Sequence, residues 1–388
     1  METLRAIIRG DLPPVGNPIK LGPRQSCTLQ LPGFHATWVN SGTSALALAL
    51  LAAKSLRPEL NRPEVIIPGY GCPDLVSACV YAGCVAKLVD IRQDGWGFDL
   101  SQLQAALSEQ TLAVIGVNFL GIREDWQGIN AVLAKHNTSV ATIEDNAQWF
   151  PNLDDNDSFF SDFIVFSFGK GKPLSLLGGG ALFSRKPLSE INSTLVPPPS
   201  KPSSLWTLKT KYFLFNQLLK PSLYWFLNHN PIFTPGQTHY KTPCQIQPLD
   251  DARFELIQTN YEVFIQTQNT LWQEYTHPVT PPYFHNSIWP ADKRRIKRLL
   301  RYPLICTGRT QRDNLLRRLN NNGLGATAMY QNALADISCP AAFVDASLPQ
   351  QNARNLAECL ITLPCHIGVS HIHSTHINRC LIETKNID

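Results

Sequence analysis

Two lysines stand in a glycine-rich stretch, Ser167-Phe168-Gly169-Lys170-Gly171-Lys172-Pro173-Leu174, which is followed by Gly178-Gly179-Gly180. Upstream, the apolar run 140–143 ends in Glu144-Asp145-Asn146-Ala147-Gln148, and a second apolar run, 163–168, leads into the lysine loop. An amine and an acid delivered by successive apolar strands form a set with a definite use. The amine condenses with an aldehyde to a Schiff base, and the acid keeps a heteroaromatic nitrogen protonated. Those are the two needs of pyridoxal 5'-phosphate (PLP). Lys172 is read as the Schiff-base amine, able to move a proton once a substrate releases it, with Lys170 as its rival. Asp145 is read as the partner of the ring nitrogen, its alternative being an ordinary helix cap. Gln148 is read either as a donor to the cofactor's phenolic oxygen or as a surface amide.

The phosphate needs its own site. Ser167 offers a hydroxyl, and Gly42-Thr43-Ser44 opens a helix whose first N–H groups suit an anion, although the same residues also make a plain cap. The elements around these residues alternate. Helices are expected over 45–51, 74–82, 100–107 and 126–136, and strands over 64–68, 85–90, 112–117, 140–143 and 163–168. Strands alternating with helices predict a parallel-rich sheet, and apolar strands without polar alternation predict one covered on both faces.

The rest of the chain is read more coarsely. Residues 1–35 read as an irregular arm. After the linker Pro197-Pro198-Pro199-Ser200-Lys201-Pro202 comes the aromatic segment 205–233, with Trp206, Tyr212, Phe213 and Trp225. It reads as an insertion packed on the protein's own core or a dimer interface, a membrane or partner contact being possible but not favoured. A long helix is expected over 249–275, then a strand over 301–306, a helix over 310–320 and a terminal helix over 371–382. The expected domains are 1–240, a large domain, and 241–388, a small α+β domain.

Composition sets outer limits. The 388 residues allow two domains, and a charged share of 16% against 44% hydrophobic fits a well-buried chain rather than a disordered one. A net charge of +4 is too small to argue for nucleic acid. The basic run Lys293–Arg298 reads as a solvated face. The ten cysteines lack paired zinc spacing, and no apolar leader precedes residue 10, so reduced thiols and a cytoplasmic location are expected. His366, His371, His373 and His376 read as parts of a terminal helix and the turn before it, and no metal site is expected.

These pieces together resemble the DegT/DnrJ/EryC1/StrS family of PLP-dependent sugar aminotransferases. The resemblance rests on Ser41-Gly42-Thr43-Ser44-Ala45-Leu46, on Pro68-Gly69-Tyr70-Gly71-Cys72-Pro73, on Glu144-Asp145-Asn146-Ala147-Gln148 and on a lysine five residues after Ser167. In the C-terminal half it rests on Arg301-Tyr302-Pro303, Gly323-Leu324-Gly325-Ala326, Met329-Tyr330 and Leu363-Pro364-Cys365-His366. It implies fold type I, the aspartate aminotransferase-like α/β fold, and a homodimer with shared sites. It gives Lys172 the Schiff base, Asp145 the pyridine nitrogen and Gln148 the phenolic oxygen. Ser167, Gly42, Thr43 and the Ser44 amide take the phosphate.

Two positions depart from the family pattern. Cys72 stands where an aromatic residue usually stacks on the ring, with Tyr70 as a stand-in, and Asn118 stands where a histidine is usual. The turn 237–240 is the expected contribution of the second subunit. The activity implied is transfer of an amino group, from an amino acid such as glutamate, to a nucleotide-linked keto-sugar in polysaccharide or secondary-metabolite biosynthesis. The retained lysine separates the chain from the family's dehydratase branch, which carries histidine there. The alternatives are a PLP-binding regulatory or accessory protein with little turnover, and a membrane-associated assembly component.

Overall fold

The computed structural model describes residues 10–22, 27, 29–136, 139–152, 159–200, 204–229, 240–241, 245–267, 271–276 and 298–384. In the first half, strands and helices alternate: β1 (His35–Val39), α1 (Gly42–Leu56), β2 (Glu64–Pro68), α2 (Asp74–Ala82), β3 (Val85–Val89), α3 (Leu100–Ala106) and β4 (Thr111–Val117). Then come α4 (Trp126–Leu133), β5 (Ala141–Asp145), β6 (Phe163–Ser167), β7 (Gly180–Ser184), the single turn α5 (Leu188–Ile191), α6 (Leu205–Leu218), α7 (Pro221–Asn228) and α8 (Asp251–Gln266). The C-terminal part is β8 (Arg301–Ile305), α9 (Arg309–Asn321), β9 (Val344–Asp345), α10 (Gln351–Cys359), β10 (Leu360–Pro364) and α11 (His371–Thr384).

Eight strands form one sheet in the order β1-β7-β6-β5-β4-β2-β3-β9, and β8 and β10 form a separate antiparallel pair. Strands β2 to β6 run parallel, as their apolar sequences predict, and β7 returns antiparallel to β6. Successive side chains on a strand point to opposite faces, so each strand feeds two cores. Val65, Ile67, Ile115 and Val165 face α1 in one core. Ile66 and Val114 face α3 and α4 in a second, while Ile164, Phe166 and Phe183 meet α6 and α8 in a third. Ala and Leu carry α1, and the Ser41 hydroxyl caps it by accepting from the Ser44 N–H at 3.0 Å. The fold is the expected α/β arrangement of a parallel-rich sheet domain and a smaller α+β unit.

Several expected boundaries move. Strands β1 and β7 are absent from the sequence reading: β1 begins at the last residue assigned to the arm, and β7 is a five-residue return strand behind three glycines. The helix expected over 249–275 stops at Gln266, where the Thr267 hydroxyl donates to the Val263 carbonyl at 2.6 Å and the backbone turns extended. Residues 271–276 form a separate 3₁₀ turn. Helix α8, on the C-terminal side of the expected 240/241 division, packs on the outer face of β6 and β7. Conversely, Leu12 of the arm packs in the core formed around β8 and β10. Residues 293–297 of the basic run lie outside the described residues.

The described stretch 10–22 of the arm is tied down at two places. Leu12 N–H donates to Gly323 O at 2.8 Å, and His366 Nε2 pairs with Pro13 O at 2.8 Å. Further along, the Asn216 side chain holds Ile19 by both backbone groups, and the Asn260 side chain does the same for Lys20. Among the described residues no helix is long and apolar enough to cross a membrane.

A buried polar network braces the carboxyl ends of β4 and β5. Asn118 is fully buried; its Nδ2 donates to Glu144 Oε1 at 2.9 Å and also to the Asn146 side chain, and its Oδ1 accepts from Glu124 N–H at 2.8 Å. Glu144 is wholly buried, and the Arg123 guanidinium reaches it at 3.0 Å. Burial pushes the Glu144 carboxyl up, against the pull of Arg123 and Asn118. Replacing Arg123 by Met strands that acid, so unfolding free energy falls by about 3 kcal/mol in urea titrations, and adding Glu144→Gln recovers most of it. Equal losses in the single and double variants would contradict this coupling.

Glu124 adds a second pH-sensitive acid. It is buried, and burial raises its pKa from 4.5 to about 7. Because the folded value is the higher, its stabilising contribution is full below pH 4.5 and is lost as pH rises through 7. The Glu124→Gln variant therefore gains on the wild type by up to about 3 kcal/mol between pH 5 and 8. A difference between the two proteins that stays constant with pH would show Glu124 to be unperturbed.

Candidate active site

Parallel pairing sets Asp145, the last residue of β5, against Val165 of β6, and two residues later β6 ends in Ser167. This is the carboxyl edge of the sheet, where open α/β folds bind ligands. Asp145 is 5% exposed, and its Oδ1 accepts from the Ala147 N–H at 2.9 Å. Burial raises its pKa; the Ala147 N–H and the charge of Lys172 oppose the rise, and Asp74 adds to it. A carboxyl in such surroundings gains most from a cationic partner.

The structure separates the two lysines. Lys170 is exposed, whereas Lys172 is half-buried and lines a cleft. The Lys172 charge acts on Asp145 and on the Cys72 thiol alike, which places it among the expected site residues. Gly42 packs directly on Ser167: a Cβ at position 42 would lie 2.6 Å from the Ser167 Cβ and 2.8 Å from its Oγ. The opposite flank is as tight, since a Cβ on Gly180 would meet the Ser41 carbonyl at 2.4 Å. Only glycine permits these approaches. They bring the α1 N terminus, with Thr43 and Ser44 in its first turn, against the Ser167 hydroxyl. Helix-end N–H groups and hydroxyls so arranged form a cradle for a phosphate-sized anion.

The turn after β2 resolves Tyr70 and Cys72 differently. Tyr70 is buried, packs edge-on against Phe119 with centroids 5.7 Å apart, and donates its hydroxyl to Tyr330 O at 3.0 Å. It belongs to the core around β8 and β10 and lines no part of the cleft. Cys72 is half-buried beside the Tyr330 hydroxyl, and burial with the nearby Asp74 pushes its thiol up to about 12. It is thus a neutral thiol at physiological pH.

Tyr330 is the group that sequence reading did not assign. Its hydroxyl accepts from Gln148 Nε2 at 3.0 Å, while Gln148 Oε1 accepts from Leu120 N–H at 3.1 Å. Gln148 is therefore a held, buried amide rather than a surface one. The phenol is raised well above its ordinary value, chiefly by burial, and stays protonated. Tyr330 lies 182 residues from Gln148, so no local spacing connects them. Asn118 is spent in the network under β4 and β5 and does not line the cleft. Of the turn expected to reach a second subunit, 237–239 lie outside the described residues.

Lys172 and Gln148 share the cleft with apolar walls from Val15, Trp149, Phe150 and Phe264. Asn17, Arg298 and His366 supply polar groups. His366 is buried with Nε2 on Pro13 O and Nδ1 accepting from Gly368 N–H, and burial lowers its pKa to about 4, so it serves as a neutral strut. The Nδ1 of His373 pairs with the Ser370 hydroxyl at 2.9 Å. Among the described residues no group of three or more His, Cys, Asp or Glu side chains converges to hold a metal ion.

The chain is similar to several known proteins. The UDP-N-acetyl-3-dehydro-alpha-D-glucosamine 3-aminotransferase of Acidithiobacillus ferrooxidans is 32% identical over 150 residues, which span 38% of this chain and 39% of that protein. The match thus covers about two fifths of the relative's length. Solved structures extend the likeness of fold along nearly the whole chain. DesV of S. venezuelae superposes with a TM-score of 0.65 at 18% identity, covering 91% of this chain and 86% of its own. NtdA of Bacillus subtilis, solved with bound cofactor PMP, superposes with a TM-score of 0.63 at 16% identity, covering 91% and 73%. Residues 33–196, which hold Gly42, Asp145, Ser167 and Lys172, match the model of the DegT/DnrJ/EryC1/StrS aminotransferase family.

Proposed function

We propose that the protein is a PLP-dependent aminotransferase that moves an amino group from an amino acid such as glutamate to a nucleotide-linked keto-sugar. The observation that carries the reading is the convergence of Lys172, buried Asp145 and the Gly42–Ser167 cradle at the carboxyl ends of β5 and β6. The donor set fits the cofactor: hydroxyls and a helix N terminus for its phosphate, a buried acid for its ring nitrogen, an amine for its aldehyde. Bound there, PLP supplies a ring that accepts the electron pair left when a proton leaves the amino-bearing carbon.

The chain's own residues do the rest. Asp145, in a setting that rewards a cationic neighbour, holds the ring nitrogen protonated. The Nζ of Lys172 carries the proton away from the donor's amino-bearing carbon and later returns one to the acceptor's. Gln148, anchored through Leu120 N–H and Tyr330, keeps a second amide N–H for the cofactor's phenolic oxygen. The name of the A. ferrooxidans relative, a UDP-linked 3-dehydro amino sugar aminotransferase, supports an acceptor of the nucleotide-linked class. A homodimer with shared sites and a cytoplasmic location complete the reading. The nine described cysteines are all free thiols, which agrees with a reducing compartment.

The test is a visible absorption spectrum of the protein with PLP, before and after excess glutamate. A band that bleaches with glutamate is expected, and Lys172→Ala removes it and lowers turnover by roughly a thousandfold or more. No band in the wild type would end the PLP reading. A subtler expectation concerns Tyr330→Phe. Losing one hydrogen bond to Gln148 lowers kcat/KM about tenfold while stability changes by only about 1 kcal/mol. An unchanged kcat/KM would remove Tyr330 from the site.

A further inference from the structure

Helix α6 is apolar on two opposite faces. The inner face is accounted for: Leu208 and Tyr212 are buried, with Phe215 packed beside them, against the cluster around Phe166 and Phe168. The Tyr212 hydroxyl donates to Leu176 O at 2.8 Å, and Asn216 clamps the arm at Ile19, so the helix cannot roll to hide its other side. That other side presents Trp206, 79% exposed, and Phe213, 59% exposed, two turns apart on one stripe. Helix α7 continues the exposed apolar surface with Leu223 and Phe226. Isolated exposed apolar residues are ordinary, but a large aromatic stripe on a rigidly seated helix marks a contact surface.

Charge identifies the contact. From residue 191 to residue 249 the chain has no Asp or Glu and five lysines. Of these, Lys209, Lys211 and Lys220 are exposed on or beside α6 and α7. At 100° per residue, Lys209 falls about 50° from the Trp206–Phe213 stripe, on one flank of it, and exposed Lys220 stands at the turn where α6 passes into α7. A second copy of the chain seated by two-fold symmetry would bring these lysines against their own counterparts, with no acid in the segment to neutralise them. An anionic partner suits them instead. We propose that the α6–α7 face docks on the surface of an anionic phospholipid bilayer. The aromatic stripe lies at headgroup depth and the lysines reach the lipid phosphates. The active-site cleft is on a different set of residues, and of α6 only inward-facing Phe215 lines it, so docking leaves the proposed chemistry to the protein body. This inference does not depend on the function proposed above.

The full chain is tested by co-sedimentation with phosphatidylcholine vesicles and with vesicles containing phosphatidylglycerol. Binding to the anionic vesicles alone, reduced by high salt, is the expected result. Reversing two charges of this face with Lys209→Glu and Lys220→Glu lowers that partition by at least about tenfold, since each charge near such a surface contributes about fivefold. Trp206→Ser with Phe213→Ser also lowers it, while circular dichroism and the particle mass from light scattering stay unchanged. Wild-type protein that remains in the supernatant with anionic vesicles at low salt would overturn the proposal. So would equal pelleting of wild type and both variants. A halved particle mass in the Trp206/Phe213 variant would show that a second copy covers the face, which also overturns it.

Discussion

The burial of one carboxyl group, that of Asp145, organises this molecule. An acid at the end of a parallel strand, away from water, is costly unless positive charge or donors come to it. Here the chain answers with the Ala147 N–H and the nearby Lys172. Both answers require particular architecture. The N–H needs β5 to break into a turn at once. The lysine needs β6 to end beside β5 and its loop to fold back, which the tight contacts at Gly42 and Gly180 enforce from the helix side. Glu144, one residue earlier, points to the opposite face and requires its own support from Arg123 and Asn118. Two adjacent buried acids thus dictate what surrounds the strand on both sides.

A second layer of organisation joins the two halves of the chain. Asp90, after β3, accepts from the backbone N–H groups of Asn352 and Ala353 and so caps α10 from across the fold. Gln350 donates to Leu88 O, and β9 extends the large sheet beside β3. Tyr330 then works at close range, receiving Tyr70 on its carbonyl and Gln148 on its hydroxyl. The C-terminal unit does not simply pack beside the sheet. It supplies a group that holds a residue of the candidate site.

The legible part of the chain was the part written in local patterns. Alternating apolar runs disclosed β2 to β6 and the helices between them, because a doubly covered parallel strand needs continuous apolar sequence. Asp145, Gln148, Ser167 and Lys172 were legible because they follow those runs at short, telling spacings. What stayed hidden was non-local or lacked pattern. The return strand β7 hides behind glycines that serve close approach rather than flexibility. Tyr70 and Cys72 are two residues apart, yet one joins a core and the other faces Tyr330, a choice made by partners far along the chain. Asn118 looked like a departure in the site and proved to be a beam beneath it.

The arm carries a consequence for how the molecule comes into being. Pro13 is held by His366, a partner 353 residues away, and Val15 of the same arm forms part of the cleft wall beside Gly171. During synthesis the first of these residues leaves the ribosome long before the second exists. The sheet that carries Asp145 and Lys172 can assemble early from short-range pairings, but the cleft wall has to wait for nearly the whole chain. Until then Lys172 faces a groove with one side missing, so the cleft is complete only once residue 366 has been made and folded back.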